Sequence, residues 1–372
     1  MRSRPIMRIT AAVLRAQDGP YHLEEVDLAD PGADEILVRV VGTGLCHSDL
    51  LPRTPGFLAT PPIITGHEGA GVVEVVGERV TGLVPGDHVV LSFDSCRQCG
   101  RCHTGHPAYC DTFFPRNLSG TSVTGDTSVR DASGAPVASR WFGQSSFATH
   151  CLASSRNAVK VDPGLPLELL GPLGCSVQTG AASVFVALGV EAGASVVVFG
   201  AGGVGLSAVM AAKVAGATTI VAVDLAQNRL ALAEELGATH TFDGALPDLA
   251  EQLIRVTGGV EYTVDTTGVP SVITTAVSVL QPGGTCGVLG VQQGDLVLPP
   301  TALGVGRNIM GIIEGDAVPQ TCIPPLIELW RQGRFPFDKL IRTFPLDQIN
   351  EAEKASLSGD VVKPVLMPGD HR

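Results

Sequence analysis

Cys96, Cys99, Cys102 and Cys110 fall within fifteen residues in a C-x2-C-x2-C-x7-C pattern, a spacing that lets four thiolates close around one metal ion. Zinc is the expected occupant, because an all-thiolate tetrahedral cage is a structural zinc site. The stretch around the cluster, Arg97 to Tyr109, is too polar to fold on a hydrophobic core, so the metal would stand in for one. An iron-sulfur cluster usually asks for a shorter last gap and a Cys-Pro ending, whereas Cys110 precedes Asp111. His103 and His106 are further donors nearby, but four thiolates already complete the site.

Three more residues able to hold a metal, Cys46, His67 and Cys175, stand outside the cluster. Taken singly, each is as readily a core or loop residue. Their surroundings, Gly44-Leu45-Cys46-His47-Ser48-Asp49, Gly66-His67-Glu68-Gly69 and Gly174-Cys175, put each among glycines and polar side chains, at segment ends that a metal can approach. Three protein ligands leave a fourth position open to water or substrate, the condition for a catalytic zinc.

Downstream, Gly200-Ala201-Gly202-Gly203-Val204-Gly205 follows the apolar strand Val196 to Phe199 and opens a helical segment ending near Ala215. In that context G-x-G-x-x-G is a dinucleotide signature: Gly200 makes the tight turn, Gly202 lets backbone approach the pyrophosphate, and Gly205 allows close helix-strand packing. Gly203 and Val204 lie at the helix N-terminus, where unpaired N–H groups meet phosphate. Asp224, nineteen residues after Gly205, ends the next strand, where a carboxylate accepts from the ribose hydroxyls and repels a 2'-phosphate. NAD is therefore expected over NADP. Arg229 is read as a ribose partner, the alternative being a solvated helix charge.

These motifs need two kinds of scaffold, and 372 residues allow about two domains of ~150 residues each. From Ile36 to about Phe93 short β-rich runs, Ile36 to Val41, Gly71 to Val76 and His88 to Phe93, are punctuated by turns such as Pro85-Gly86-Asp87, which describes an irregular β-rich domain. After Gly193 strands Ser195 to Phe199, Thr219 to Val223, Tyr262 to Val264 and Gly287 to Val291 alternate with helix-length segments, the rhythm of a parallel sheet covered on both faces. The fold class is α/β. Residues 117 to 139 are read as a long surface excursion.

A net charge of -12 argues against nucleic acid or an anionic membrane as partner. Six of the nine cysteines have a metal reading, which disfavours a disulfide framework and implies a reducing compartment; Cys151, Cys286 and Cys322 are expected to be buried small hydrophobes, apart from any metal. The N-terminus starts basic, but Arg8 and Arg15 interrupt any signal-peptide core, and a cytoplasmic location is expected. Ala192 to Ala212 is uncharged yet holds five glycines, so strand-turn-helix explains it better than a membrane span.

Taken in order and spacing, these motifs resemble the zinc-dependent alcohol dehydrogenases of the medium-chain dehydrogenase/reductase superfamily over almost the whole chain. The resemblance implies a GroES-like catalytic domain over 1–176 with its structural zinc lobe at 96–110, a Rossmann NAD-binding domain over 177–314, and a return to the catalytic domain over 315–372. It implies that Cys46, His67 and Cys175 bind catalytic zinc, making two zinc ions per chain. Glu68 then sits behind the metal, Asp49 supports His67, and Ser48 starts a proton relay towards the cofactor ribose. His47 and Lys363 occupy positions that contact the cofactor pyrophosphate. Phe93, Trp141 and Val291 match positions lining the substrate pocket, ordinary core packing being the alternative for Trp141.

Phe113-Phe114-Pro115-Arg116-Asn117, Phe142-Gly143-Gln144-Ser145-Ser146-Phe147, Gly171-Pro172-Leu173-Gly174-Cys175 and Ile313-Glu314-Gly315-Asp316 look like the aryl-alcohol (benzyl-alcohol) branch. That implies reversible NAD-linked oxidation of a primary aromatic alcohol to the aldehyde. Leu51 departs from the liver-type pattern, where a histidine ends the relay. Sister activities on allylic terpene alcohols or a thiol adduct of formaldehyde are the enzymatic alternatives. An iron-sulfur electron carrier would be coloured, and a zinc and NAD binding protein without turnover is disfavoured by the intact Cys46, Ser48, His67 and Cys175. The resemblance also suggests a homodimer or homotetramer in which Val297 to Ile313 pairs with its copy across a two-fold axis.

Overall fold

The computed structural model describes residues 6–369, so Arg2 and Arg4 of the basic start, and positions 370–372 of the C-terminal segment, lie outside the described residues. The chain divides into two compact units, one of residues 1–175, 318–324 and 340–372, the other of 176–317 and 325–339.

The first unit carries two β-sheets. Strands Ile6–Leu14 and Tyr21–Ala29 pair antiparallel along their whole length, flanked by Ile63–Ile64 on one side and by the short hairpin Val129–Arg130 with Pro136–Val137 on the other. The excursion at 117–139 is thus partly ordered: Val129 and Val137 are buried, and Thr121 to Thr124 wall a cavity of about 650 Å³ with Arg116, Arg140 and Arg156. The second sheet runs Ala158–Val161, His88–Leu91, Glu68–Val76, Glu35–Gly44, Lys363–Met367, Ile341–Pro345, with His150–Ser154 also paired to Glu35–Gly44.

Ile36, Val38 and Val40 alternate inward from the central strand onto Val73, Val89, Leu91 and Cys151. Cys151 behaves as the expected small hydrophobe, its thiol pushed up to about 12 by burial. Two register shifts, between Leu37 and Val38 and between Val40 and Gly42, interrupt the pairing of Glu35–Gly44 with Glu68–Val76. Bulges of this kind bend a strand and re-aim its end, and this strand runs out one residue before Leu45-Cys46.

The second unit is a six-stranded parallel sheet in the order His240–Asp243, Thr219–Asp224, Ser195–Phe199, Val260–Asp265, Leu280–Val288, Asn308–Gly311. Numbered along the chain that is 3-2-1-4-5-6, the doubly wound order, whose reversal beside strand one marks the ligand crevice. Val196, Val197, Val198 and Phe199 are all buried, as a strand covered on both faces requires. Helix Gly203–Ala215 ends on Gly216 at φ +87, a left-handed cap open to glycine. The strand expected over Gly287 to Val291 instead occupies Leu280–Val288. Leu289 and Gly290 turn back to donate to the carbonyl of Asp265, so pairing stops and Val291 is left 63% exposed. No helix among the described residues is long and apolar enough to cross a membrane.

Candidate active site

Cys46, His67 and Cys175 all lie in the first unit, with their donor atoms within 4.8 Å of one another. Cys46 caps a 3-10 helix, His47–Arg53, while His67 sits between strand Ile63–Ile64 and strand Glu68–Val76. Cys175 follows the short helix Gly171–Gly174, whose Gly174 is required by packing, since a Cβ there would come 1.9 Å from the Leu91 carbonyl. The His67 Nε2 lies 3.2 Å from the Cys175 sulfur.

Asp49 ties the group together. Its fully buried carboxylate accepts from the His67 Nδ1 at 2.7 Å, the Gly66 N–H at 2.9 Å and the Cys46 N–H at 3.0 Å. With Nδ1–H committed to Asp49, the lone pair of Nε2 is left for a metal. Burial opposes a charge on His67, but the Asp49 carboxylate outweighs it and raises the imidazole well above its usual range. The Cys46 thiol is held well below the usual range, chiefly by its hydrogen bond with Cys175 and against burial, with the Lys363 and His67 charges assisting. A thiol that releases its proton this readily is a competent metal donor. Ser48 lies half-buried between His47, which is exposed, and Asp49.

Behind this set, Glu68 and Lys363 form a buried ion pair at 3.0 Å, with the ammonium also donating to the Leu45 carbonyl at 3.2 Å. Burial works against the Lys363 charge, but the Glu68 carboxylate keeps it protonated and above the ordinary lysine range. Lys363 was expected at the cofactor pyrophosphate. It is instead 3% exposed, and its ammonium is committed to the buried Glu68 carboxylate. Removing either partner of such a pair costs about 3–5 kcal/mol.

The cysteine cluster shows the dimensions of a thiolate cage. Cys96 and Cys102 sulfurs are 3.9 Å apart and those of Cys99 and Cys110 are 4.0 Å apart, close to the ~3.8 Å edge set by ~2.3 Å zinc–sulfur bonds. None of the four is in a disulfide. Backbone N–H groups of Cys96, Gln98 and Cys99 point at cluster sulfurs. The Cys99 thiol is brought down to about 6, first by backbone hydrogen bonds from Asp111 and Cys102, while Cys102 is pushed up to about 12 by burial and its neighbours. Four thiolates repel one another unless a cation sits among them, and this donor set fits zinc.

In the second unit, Gly200 takes φ +92 and a Cβ on Gly205 would meet the Gly200 carbonyl at 1.8 Å, so both glycines are sterically required. A Cβ on Gly202 would meet nothing within 4 Å, which leaves its face open for a phosphate. Gly203 and Val204 form the first turn of helix Gly203–Ala215. Asp224 is already engaged: one carboxylate oxygen accepts from the Ala201 N–H at 2.6 Å and the other from the Ala226 N–H at 2.9 Å. Arg229, on helix Gln227–Leu236, has a buried Nε without a hydrogen-bond partner among the described residues, a donor suited to a bound ligand.

Several functional candidates were not legible in advance. Phe142 stacks on the His67 ring, centroids 4.2 Å apart and planes at 21°. Phe113 packs against both Phe93 and Phe142, at 5.8 and 6.4 Å, while Phe57 lies 6.1 Å from Trp141. Trp141 has no exposed surface, so here its ring packs against Phe57 and Phe142, and Phe93 is 3% exposed. The two phenylalanine-rich motifs therefore converge on His67. Phe142, Gly143 and Ser145 all have positive φ; a bulky left-handed residue costs about 1–3 kcal/mol and persists only where its surroundings enforce it. Here Gln144 donates to the His67 and Ser92 carbonyls and accepts from the Gly69 N–H, while Ser145 accepts from the Trp141 N–H and donates to the Ile64 carbonyl. A second strained turn, Glu314-Gly315-Asp316, has positive φ throughout, and its buried Glu314 accepts from Gln178 and Thr179 at 3.3 Å.

Comparison with known proteins agrees with this geometry. Residues 32–163 match the alcohol dehydrogenase GroES-like domain and residues 203–331 the zinc-binding dehydrogenase family. The chain is 48% identical to a geraniol dehydrogenase of Castellaniella defragrans over 362 residues, 96% of this chain and 97% of that protein. Two solved structures superpose closely. One is an alcohol dehydrogenase zinc-binding domain protein from Burkholderia ambifaria, with TM-score 0.95 and 48% identity, covering 98% of this chain and 100% of that one. The other is the benzyl alcohol dehydrogenase of Acinetobacter calcoaceticus, with TM-score 0.94 and 41% identity at the same coverage. The chain belongs to the zinc-dependent alcohol dehydrogenases of the medium-chain dehydrogenase/reductase superfamily, with a GroES-like domain and a Rossmann domain. Zinc and NAD, the cofactors typical of that family, are those of this chain, and its substrates are small molecules.

Proposed function

We propose that the chain oxidises a primary alcohol whose carbinol carbon adjoins a π-system, benzylic or allylic, to the aldehyde, reversibly and with NAD. The observation that carries this reading is the aromatic enclosure at the metal donors: Phe142 on His67, with Phe113, Phe93, Trp141 and Phe57 behind it. Aromatic walls favour flat, apolar substrates in a dry site. The benzylic form is supported by likeness to the Acinetobacter enzyme, the allylic form by the 48% identity to the geraniol dehydrogenase.

In this reading Cys46, His67 and Cys175 hold the catalytic zinc, and Cys96, Cys99, Cys102 and Cys110 the structural one. Bound, zinc supplies Lewis-acid polarisation of the alcohol oxygen and NAD supplies the hydride acceptor. Asp49 fixes the His67 tautomer, Ser48 takes the hydroxyl proton, and Glu68 with Lys363 sets the charge behind the donors. Gly200, Gly202, Gly203, Val204 and Gly205 receive the pyrophosphate with His47 assisting, while Asp224 and Arg229 hold the adenosine ribose. The catalytic part is read as 1–176 with the chain that returns over 315–372, of which 315–317 and 325–339 cluster with the second unit, and the cofactor part as 177–314, in a reducing, cytoplasmic setting.

The test is kcat/KM for NAD reduction over benzyl, cinnamyl, geranyl, perillyl and short aliphatic alcohols, repeated with NADP. The π-activated alcohols are expected to exceed the aliphatic ones by at least about tenfold, since each tenfold needs only ~1.4 kcal/mol of differential transition-state binding. Equal rates across the panel would overturn the substrate class. Silence in protein carrying two zinc ions per chain would redirect the search to thiol adducts of formaldehyde.

A further inference from the structure

We infer that Phe142 is a positioning residue for the catalytic metal centre: its ring, held face-on to His67 by a left-handed backbone, fixes the plane in which the imidazole offers Nε2. This rests on the reading of Cys46, His67 and Cys175 as metal ligands.

The hydrogen bond from Nδ1 to Asp49 fixes one point of the imidazole and its tautomer. It does not fix the plane, because the ring can still tilt about the Nδ1 to Asp49 line. A flat partner across one face blocks that tilt. Phe142 is such a partner, at 4.2 Å and 21° from parallel, and is itself 5% exposed. Its own ring is wedged edge-on by Trp141 at 5.5 Å and 70° and by Phe113 at 6.4 Å and 87°. The aromatic face also favours the positive charge that a metal places on the imidazole.

The backbone shows that this contact is specified. Phe142 has φ 49 and ψ 35, a conformation that is an outlier for a bulky side chain and open to glycine or asparagine. Were the ring only filling space, a residue suited to that backbone with packing from elsewhere would do. Instead the strained turn is fastened at Gln144 and Ser145, and Gln144 donates to the carbonyl of His67 itself at 2.9 Å. One short segment thus grips His67 by both its main chain and its ring.

The test uses the full-length zinc protein. Phe142→Leu is titrated with EDTA while zinc per chain is counted, and the visible bands of the cobalt-substituted protein are compared with wild type. One zinc is expected to leave at about tenfold lower free EDTA, the usual effect of losing a group that orients a metal-bound histidine, while the other zinc holds as in wild type. The cobalt bands shift, kcat falls, and Phe142→Tyr restores all three. Phe142→Asn suits the left-handed backbone but lacks the ring; it loses the same zinc and carries the test if the Leu variant does not fold. Leu and Asn variants that keep both zinc ions as tightly as wild type, with unchanged cobalt bands, would overturn the proposal. Failure of the ligand reading has a different signature: wild type holds one zinc per chain and His67→Ala leaves that number unchanged, which removes the proposal with it.

Discussion

At single side chains, the two groups of metal donors make different demands on the protein. Cys175 shares its site with an aromatic enclosure and a buried ion pair that hold the local structure without it, whereas the lobe around Cys102 has little apolar support. Cys175→Ala is expected to lower turnover by at least about a thousandfold, in line with removal of a group that acts only in the chemical step. Melting temperature and lobe zinc should stay near wild type; retained activity would sink the catalytic assignment. Cys102→Ala should do the reverse, lowering melting temperature and zinc content, and a variant that melts like wild type with two zinc ions would remove the structural role. The donor residues were legible in the sequence because cysteine and histidine carry their chemistry in their identity. Phe142 was not: its role depends on a positive φ and on which ring it faces, and neither leaves a mark in residue type. Lys363 went astray for a related reason, since its partner Glu68 lies 295 positions away.

At the level of elements, the glycine turn and the acid after the next strand form one device. Asp224 receives the Ala201 N–H, so the residue expected to select the cofactor also braces the turn that receives its phosphates. Asp224→Ser is therefore expected to narrow the NAD to NADP ratio of kcat/KM by about tenfold or more and to lower melting temperature as well. A ratio unchanged from wild type would exclude Asp224 as selector, whatever the stability. Strands Ser195–Phe199 and Thr219–Asp224 were readable because consecutive β-branched residues bounded by glycine have few alternatives. Strand Leu280–Val288 was misread at its start because Gln281-Pro282-Gly283-Gly284 has turn composition and interrupts the register, Leu280 pairing with Val260 and the pairing resuming only at Thr285 with Tyr262. The hairpin Ile6–Leu14 with Tyr21–Ala29 was missed because its outward positions are charged and its inward ones include small alanines.

For the molecule as a whole, the parallel sheet of the second unit ends on strand Asn308–Gly311, the last strand of that sheet's order. The segment before it exposes Val297 at 80%, Val305 at 51% and Leu303 at 43%. Apolar side chains grouped beside an edge strand invite a second copy, which supports the two-fold pairing suggested across Val297 to Ile313. Sedimentation at micromolar concentration should give a mass of at least two chains, and Val297→Asp with Val305→Asp should reduce it; a monomeric mass for wild type would exclude the pairing. The two-domain α/β plan was legible from the change of rhythm after Gly193. The return of the chain into the first unit was not legible from pattern, because short strands such as Lys363–Met367 carry no periodicity of their own.

That late strand also fixes an order of events during synthesis. Lys363–Met367 lies inside the seven-stranded sheet, against Thr43 and Gly44, and brings the Lys363 ammonium to Glu68. While the ribosome is still translating residues before 363, the second unit's sheet has all six of its strands available, but the sheet of the metal-binding unit still lacks the strand that lies between Glu35–Gly44 and Ile341–Pro345. The unit encoded first is thus the one whose sheet is completed last, although all seven of its metal donors are encoded before residue 176.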